Sequence, residues 1–169
     1  SCACGAEPSG TWTAGRCRRP TSRRRAGRND IDGVIALERQ WEREDIAYGD
    51  FNPMSREDYL AILEHFPAYF LVAEHTGQLL GYIHASVQRN NPVEVIPPDQ
   101  PYVAIEDIYV RPDFRNQDIG GALLERVFVV AQQEGIERFI VGTLSKETDS
   151  ILKFYRNHGF TPWRIQFFK

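Results

Sequence analysis

The stretch from Tyr109 to Leu124, YVRPDFRNQDIGGALL, restricts this chain more than any other. An apolar strand-like run ends at Val110, a polar segment opened by Arg111-Pro112 follows, and a helical apolar period begins near Ile119. Gly120 and Gly121 stand where that helix starts. The first turn of a helix leaves backbone N–H groups without carbonyl partners, and glycine lets an anion come close to them. Arg115 adds a charge-assisted donor at the mouth of the loop. A strand, loop and helix in this order cradle a pyrophosphate. Taken alone, the same order also suits a helix that merely begins with two small residues.

The surrounding pattern predicts an α/β domain. Asn29 or Asp30 caps a helix whose Val34, Ile35, Leu37 and Trp41 recur at helical spacing, and which is expected to run to about Tyr48. Ser55 with Asp58 three residues on resembles a capping box for a short second helix ending near His65. AYFLVAE (68–74) and LLGYIHASVQ (79–88) flank His75-Thr76-Gly77-Gln78, a hairpin signal. A Pro-rich loop (89–100) precedes a third strand, YVAIEDIYV (102–110). A long helix is expected over 119–134, with Leu123, Leu124, Val127, Val130 and Ala131 as its stripe and Gly135 as its cap. A strand at 138–143, a helix at 148–158 and a last strand at 160–168 complete the order. The expected architecture is a mixed, mostly antiparallel sheet of six to seven strands, with about four helices on both faces.

Charge is distributed unevenly. Residues 1–28 hold seven arginines against one acid, whereas the remainder holds 13 basic and 22 acidic residues. Residues 1–22 lack hydrophobic period and read as a basic, disordered tail ahead of one domain spanning 23–169. Cys2, Cys4 and Cys17 all lie in that tail, an odd set that makes neither a disulfide framework nor a zinc site. The four histidines, at 65, 75, 84 and 158, are scattered and suggest no metal. No apolar run approaches the ~20 residues of a membrane span, and the start has no signal-peptide character. A cytoplasmic protein without a membrane partner is the expectation, with nucleic-acid binding by the arginine tail a minor alternative.

At this point two blocks resemble one family. Arg115-Asn116-Gln117-Asp118-Ile119-Gly120 resembles the acyl-CoA signature Arg/Gln-x-x-Gly-x-Gly/Ala of the GNAT superfamily of N-acetyltransferases. FYRNHGF (154–160) is similar to the family's late Tyr-x-x-x-Gly-Phe, and the resemblance covers about residues 26–168. It implies acetyl-CoA as co-substrate, held by Ile108, Tyr109, Val110, Arg115, Asn116, Gln117, Asp118, Ile119, Gly120, Gly121 and Thr148. Three positions depart from the pattern. Asp118 replaces the middle Gly of the signature, Thr148 replaces an Asn before the last helix, and SRRRA (22–26) is weak material for a first strand, suited to an edge. A carboxylate about 5 Å from a phosphate charge costs about 3 kcal/mol at an effective dielectric near 20. Asp nevertheless tolerates left-handed backbone, and its side chain is free to turn from the phosphates.

Amine acetylation requires a neutral amine, a stabilised oxyanion and a thiolate that can leave. Glu106 and Asp107 precede the loop, and strand alternation implies that only one of them faces the acyl group. IEDIYV resembles the corresponding strand of spermidine/spermine N-acetyltransferases, which implies Glu106 as general base and Asp107 as a supporting, acceptor-binding group. The family match implies Tyr155 as general acid. Trp41, Glu42 and Asp45, with Glu38, Glu44, Asp50, Glu94, Asp99, Tyr48, Phe51 and Tyr102 around them, suit a small cationic amine such as a polyamine or an aminoglycoside. The same residues also fit a solvated acidic face. A protein or peptide N-acetyltransferase and a non-catalytic acyl-CoA-binding module are the competing functions. Family habit alone implies a homodimer.

Overall fold

The sheet is built around one hairpin. A computed structural model describes residues 21–48, 53–89 and 93–165 of the chain. Strands β2 (Phe70–His75) and β3 (Gln78–Gln88) are joined by Thr76 and Gly77, both at positive φ (49° and 80°). Two left-handed residues make the turn whose twist matches the flanking strands. β4 (Tyr102–Val110) pairs antiparallel with β3, and β5 (Phe139–Val141) pairs parallel with β4. On the far side β1 (Ser22–Arg25) pairs antiparallel with β2, so the described residues form a five-stranded sheet in the order β1-β2-β3-β4-β5. The mixed, mainly antiparallel character agrees with the sequence, but the count is five among the described residues. Residues 160–165 form no strand, and the rest of the expected last strand lies outside the described residues.

β1 shows how arginine-rich material enters a sheet. All four of its residues are exposed, and it lies at the edge, where charged side chains also discourage pairing with another chain. Arg24 donates to Asp30 at 2.7 Å and to Glu74 at 2.6 Å, fastening the strand to its neighbours.

Each face of the sheet carries its own core. α1 (Ile31–Arg43) and α2 (Arg56–His65) cover one face, where Ile31, Val34, Leu37 and Tyr59 meet Phe70, Val72, Tyr82 and Tyr109. α3 (Ile119–Gln133) covers the other with its whole expected stripe buried against Leu71, Ile83, Val103 and Ile105. α4 (Thr148–Asn157) packs Phe154 and Tyr155 against that second core. The Ser55–Asp58 capping box forms in both directions, Asp58 N–H to Ser55 Oγ at 3.1 Å and Ser55 N–H to Asp58 Oδ2 at 2.9 Å. α1 stops at Arg43, five residues short of the expected Tyr48, and Asp45 at φ 48° turns the chain out of the helix.

Gly81 sets the spacing of β3 and β4. A Cβ there would lie 2.5 Å from the carbonyl oxygen of Tyr109 and 3.2 Å from the Cα of Val110. Gly81→Ala is therefore expected to destabilise the fold by about 1–3 kcal/mol, read as a lower urea midpoint with an unchanged slope. A midpoint equal to wild type would show that the two strands separate freely here.

Candidate functional site

β4 loses regular pairing on both sides at one point. Its parallel register with β5 ends at Ile105↔Val141, so from Glu106 to Val110 that edge has no strand partner among the described residues. On the other side Ile105 pairs with Ala85 and Asp107 with His84, which leaves Glu106 as the extra residue of a β-bulge. The bulge resets the alternation. Ser86 Oγ donates to Glu106 Oε1 at 2.6 Å, and His84 Nε2 donates to Asp107 Oδ2 at 2.9 Å. His84 and Ser86 are two apart on β3 and share a face. Both carboxylates therefore project to the same side, correcting the expectation that only one of them does.

β4 runs directly into the loop. Pro112–Phe114 form a single 3-10 turn, and Asn116 (φ 57°) and Asp118 (φ 62°) take left-handed backbone on either side of Gln117. The first bond into α3 is Ala122 N–H to Asp118 O at 3.1 Å. The backbone N–H groups of residues 116–121 have no hydrogen-bond partner among the described residues. Successive free N–H groups at a helix start form an anion receptor. Asn116, Gln117 and Asp118 are exposed, while Ile119 is buried and anchors the helix.

Arg115 does not stand free at the loop mouth as expected. Its Nε donates to Val110 O at 3.0 Å and its Nη2 to Glu44 Oε2 at 2.6 Å, and its guanidinium lies 5.7 Å from the Tyr109 ring centre. Glu44 also accepts from Tyr109 Oη, and Trp41 stacks on Tyr109 at 5.6 Å. Arg115 thus ties the loop to β4 and to the end of α1. Asp118 leans along the first turn. A Cβ at Gly121 would lie 2.7 Å from both Asp118 Oδ1 and His158 Nε2, so Gly121 makes room for that carboxylate and imidazole together. Gly120 is less constrained, since a Cβ there would only touch Phe154 and Val110 at 3.6 Å. Thr148, which the resemblance places with the cofactor, is exposed and lies inside the first turn of α4, with Glu147 at the cap position.

Tyr155 is placed by α4 between Phe154 and Phe160. Burial pushes its phenol up to about 12, and the charge of Asp107 pushes the same way. Tyr155 therefore stays protonated at neutral pH and lies within the field of a β4 carboxylate.

The other expected acceptor residues divide. Trp41 is half-buried against Tyr109, Glu42 is exposed, and Asp45 meets Lys146 Nζ at 2.7 Å with its side chain 86% exposed. Beyond α1 the chain crosses to the loop before α4, where Tyr48 N–H bonds Leu144 O and Lys146 N–H bonds Ile46 O, both at 2.7 Å. That strap joins the segment after α1 to the loop before α4. Glu94 pairs with Arg164 at 3.1 Å. Tyr102 is buried at the opposite end of β4 and forms no wall of the site, while Asp50 and Phe51 lie outside the described residues. A separate depression between Phe66, Tyr69, Val87, Arg89 and Glu134 lies at that opposite end too. Among the described residues no group of His, Cys, Asp or Glu is arranged to hold a metal, and no helix is long and apolar enough to cross a membrane.

Sequence reasoning missed a polar layer beneath the carboxylates. Glu38, 3% exposed, accepts from Met54 N–H at 3.0 Å, and its other oxygen has no hydrogen-bond partner among the described residues. The Tyr59 and Tyr82 hydroxyls, also buried, have no partner in hydrogen-bond geometry among the described residues either. Yet Tyr59 lies near enough to Glu38, Tyr82 and Asp107 for each to influence its ionisation. An unsatisfied buried polar group costs about 1–3 kcal/mol. The available signal was the spacing Ile31, Val34, Glu38, Trp41, which puts a carboxylate on the buried stripe of α1.

Burial raises the Glu38 carboxyl above its ordinary range. The folded state therefore holds this proton at pH values where the unfolded chain has released it, and stability falls as pH rises through that window. Glu38→Gln removes the effect. The stability of wild type relative to Glu38→Gln is expected to decline in urea unfolding as pH rises above the ordinary carboxylate range, and a flat difference would contradict the burial argument.

The comparisons agree with this geometry. The model of the acetyltransferase (GNAT) family matches residues 35–160. Aminoglycoside acetyltransferase AAC(6')-Iy, solved with a bisubstrate analogue, is similar at 21% identity and TM-score 0.70, over 89% of this chain and 97% of its own. An acetyltransferase from Clostridium acetobutylicum solved with acetyl-CoA is similar at 16% identity and TM-score 0.66, over 89% and 96% of the two chains. Ard1 from Thermoplasma volcanium is similar at 17% and 0.65, over 83% and 82%. With a family match across most of its length and a sheet that opens beside a free helix start, this chain belongs to the GNAT family of acetyltransferases.

Proposed function

We propose that the protein transfers an acetyl group from acetyl-CoA to a primary amine of a small cationic molecule of polyamine or aminoglycoside type. The observation that carries this reading is the open edge of β4 running into the unpaired N–H groups of residues 116–121. The edge from Glu106 to Val110 offers backbone donors and acceptors to the amide-containing arm of CoA, as an added strand would use them. The free N–H groups at the start of α3 receive its pyrophosphate. Asp118 faces His158 across Gly121, which limits the repulsion it exerts on that anion.

The thioester then lies between the end of β4 and Tyr155. A backbone N–H among Ile108–Val110 stabilises the oxyanion. Glu106, directly or through a water, takes the proton from the acceptor's ammonium, the freed nitrogen attacks the thioester carbon, and the C–S bond breaks as the amide forms, the second proton lost from the nitrogen ending on the CoA thiolate, which leaves as the thiol. Asp107, on the same face, attracts the cation. A phenol raised to about 12 is a weaker acid than an ordinary thiol near 8.5, so Tyr155 acts first as a hydrogen-bond donor to the departing sulfur. The acidic residues on this side suit a cationic acceptor, and the strap at 46–48 favours a small one over a long peptide. Aminoglycoside acetyltransferases among the proteins of similar fold support the same acceptor class.

Thermal unfolding with millimolar acetyl-CoA, followed by thiol release against spermidine, kanamycin and a lysine peptide, tests this. A raised melting temperature and thiol release with one of the first two amines are expected. Tyr155→Phe should keep the thermal shift and lose about 100-fold in kcat. Release only with the peptide, or no shift at all, would overturn the assignment.

A further inference from the structure

One face of β3 carries three polar side chains in succession, His84, Ser86 and Gln88, at the two-residue spacing that puts them on the same side of a strand. Each makes a hydrogen bond. His84 Nε2 donates to Asp107 Oδ2 at 2.9 Å, Ser86 Oγ donates to Glu106 Oε1 at 2.6 Å, and Gln88 Nε2 donates to Ser86 Oγ at 2.7 Å. The two adjacent carboxylates therefore have separate donors and do not compete for one. Directly opposite Ser86 stands Ala104, which offers no polar side-chain group. The hydroxyl reaches diagonally to Glu106 instead, a distance that a long side chain spans. Ser86 is 9% exposed and Gln88 half-buried, whereas Glu106 is exposed. A covered hydroxyl, itself held by an amide, thus grips one oxygen of a carboxylate that faces solvent.

We propose that Ser86 and Gln88 are positioning residues for Glu106, holding its carboxylate in one orientation through the series Gln88 Nε2 to Ser86 Oγ to Glu106 Oε1. This rests on the reading of Glu106 as the group that takes the amine's proton. The direction of the series follows from counting protons. A carboxylate only accepts, and a serine hydroxyl has a single proton to give. With that proton committed to Glu106, the Ser86 oxygen accepts from its other neighbour, and the N–H end of the Gln88 amide fills that place. An unheld glutamate on a surface samples several rotamers about each torsion of its stem. A base has to lie within hydrogen-bond reach of the proton it removes, so fixing Oε1 against β3 and leaving Oε2 for the amine shortens the search. Asp107 is held separately by His84, so the series acts on the group that takes the proton and not on the one that attracts the cation. Its signature therefore falls on kcat and not on KM.

The carboxyl carbon NMR signal of Glu106, read in the full chain without ligand and assigned by its loss in Glu106→Gln, reports the bond directly. Ser86→Ala should displace it. Gln88→Met removes the amide donor, while Gln88→Glu puts in its place an acceptor that competes for the one proton of Ser86. Gln88→Glu should therefore displace the signal more than Gln88→Met does, and that excess should shrink in the Ser86→Ala background, where the added charge acts without the hydroxyl. With spermidine or kanamycin, whichever supports thiol release, Ser86→Ala should lose about tenfold in kcat while the KM for the amine and the acetyl-CoA thermal shift stay unchanged. A signal that moves in none of the variants, equal displacement by Gln88→Met and Gln88→Glu, or a loss confined to KM would overturn the proposal. Wild-type kcat in Glu106→Gln would overturn the base reading and this inference with it. Lost kcat in Glu106→Gln beside wild-type kcat in Ser86→Ala would overturn the positioning role alone. If neither amine reacts, the NMR comparison decides, since it needs no acceptor.

Discussion

The break in β4 at Ile105–Asp107 is the constraint on which the site depends. A strand in mid-sheet normally has its backbone polar groups satisfied on both sides. Here the parallel partner stops at Val141, and one residue later the antiparallel partner is bulged. The first change leaves backbone groups exposed on a sheet edge that aggregation would exploit unless something covers it. The second turns Glu106 onto the face already occupied by Asp107. A single irregularity thus produces both the binding edge and the paired carboxylates beside it. The bulge stays in place because Gly81 brings β3 against Tyr109 and because Ser86 and His84 each engage one carboxylate.

Around that break the charges are separated by role. The N–H groups of residues 116–121 supply positive potential without a basic side chain, since Arg115 is committed to Glu44 and Val110. The Glu44 link runs from the end of α1, on the acceptor side, to the start of the phosphate loop, so the two halves of the site share one half-buried ion pair. Carboxylates collect on the other side: Glu106 and Asp107 at the surface, Glu38 below. Tyr155 approaches from α4 and feels the charge of Asp107, so a buried phenol and a β4 carboxylate lie within electrostatic range of one another. On the proposed function, an anionic cofactor and a cationic acceptor are drawn to neighbouring but distinct places.

Much of this was legible in the residues. The stripe Leu123, Leu124, Val127, Val130 and Ala131, the Ser55–Asp58 box and the Thr76-Gly77 turn follow from local periodicity and backbone preference, and the structure shows each of them. The edge position suggested for 22–26 followed from its arginines. The bulge at Glu106 was not legible, because IEDIYV alternates well enough to pass as a regular strand and a bulge depends on the partner's register. The end of α1 was misjudged because the contacts Glu44 makes with Tyr109 and Arg115, 65 and 71 residues distant in sequence, and the left-handed turn at Asp45 that follows them are invisible in the helical period. Arg115 was placed at the phosphates for the same reason: its long-range carboxylate partner is invisible in the loop motif. Glu38 was readable as one acid among several on α1, but only burial distinguishes it from Glu42, which is exposed.

On the proposed function, the free N–H groups at the start of α3 and the open edge of β4 form one acyl-CoA site. Backbone amide NMR of the full chain, titrated with acetyl-CoA, reads both at once. The largest shifts should fall on the amides of residues 116–121 and of Ile108–Val110, and they should saturate together. Shifts confined to the depression near Phe66 and Arg89, or two groups of residues saturating at different concentrations, would show that the edge of β4 and the start of α3 do not form one acyl-CoA site.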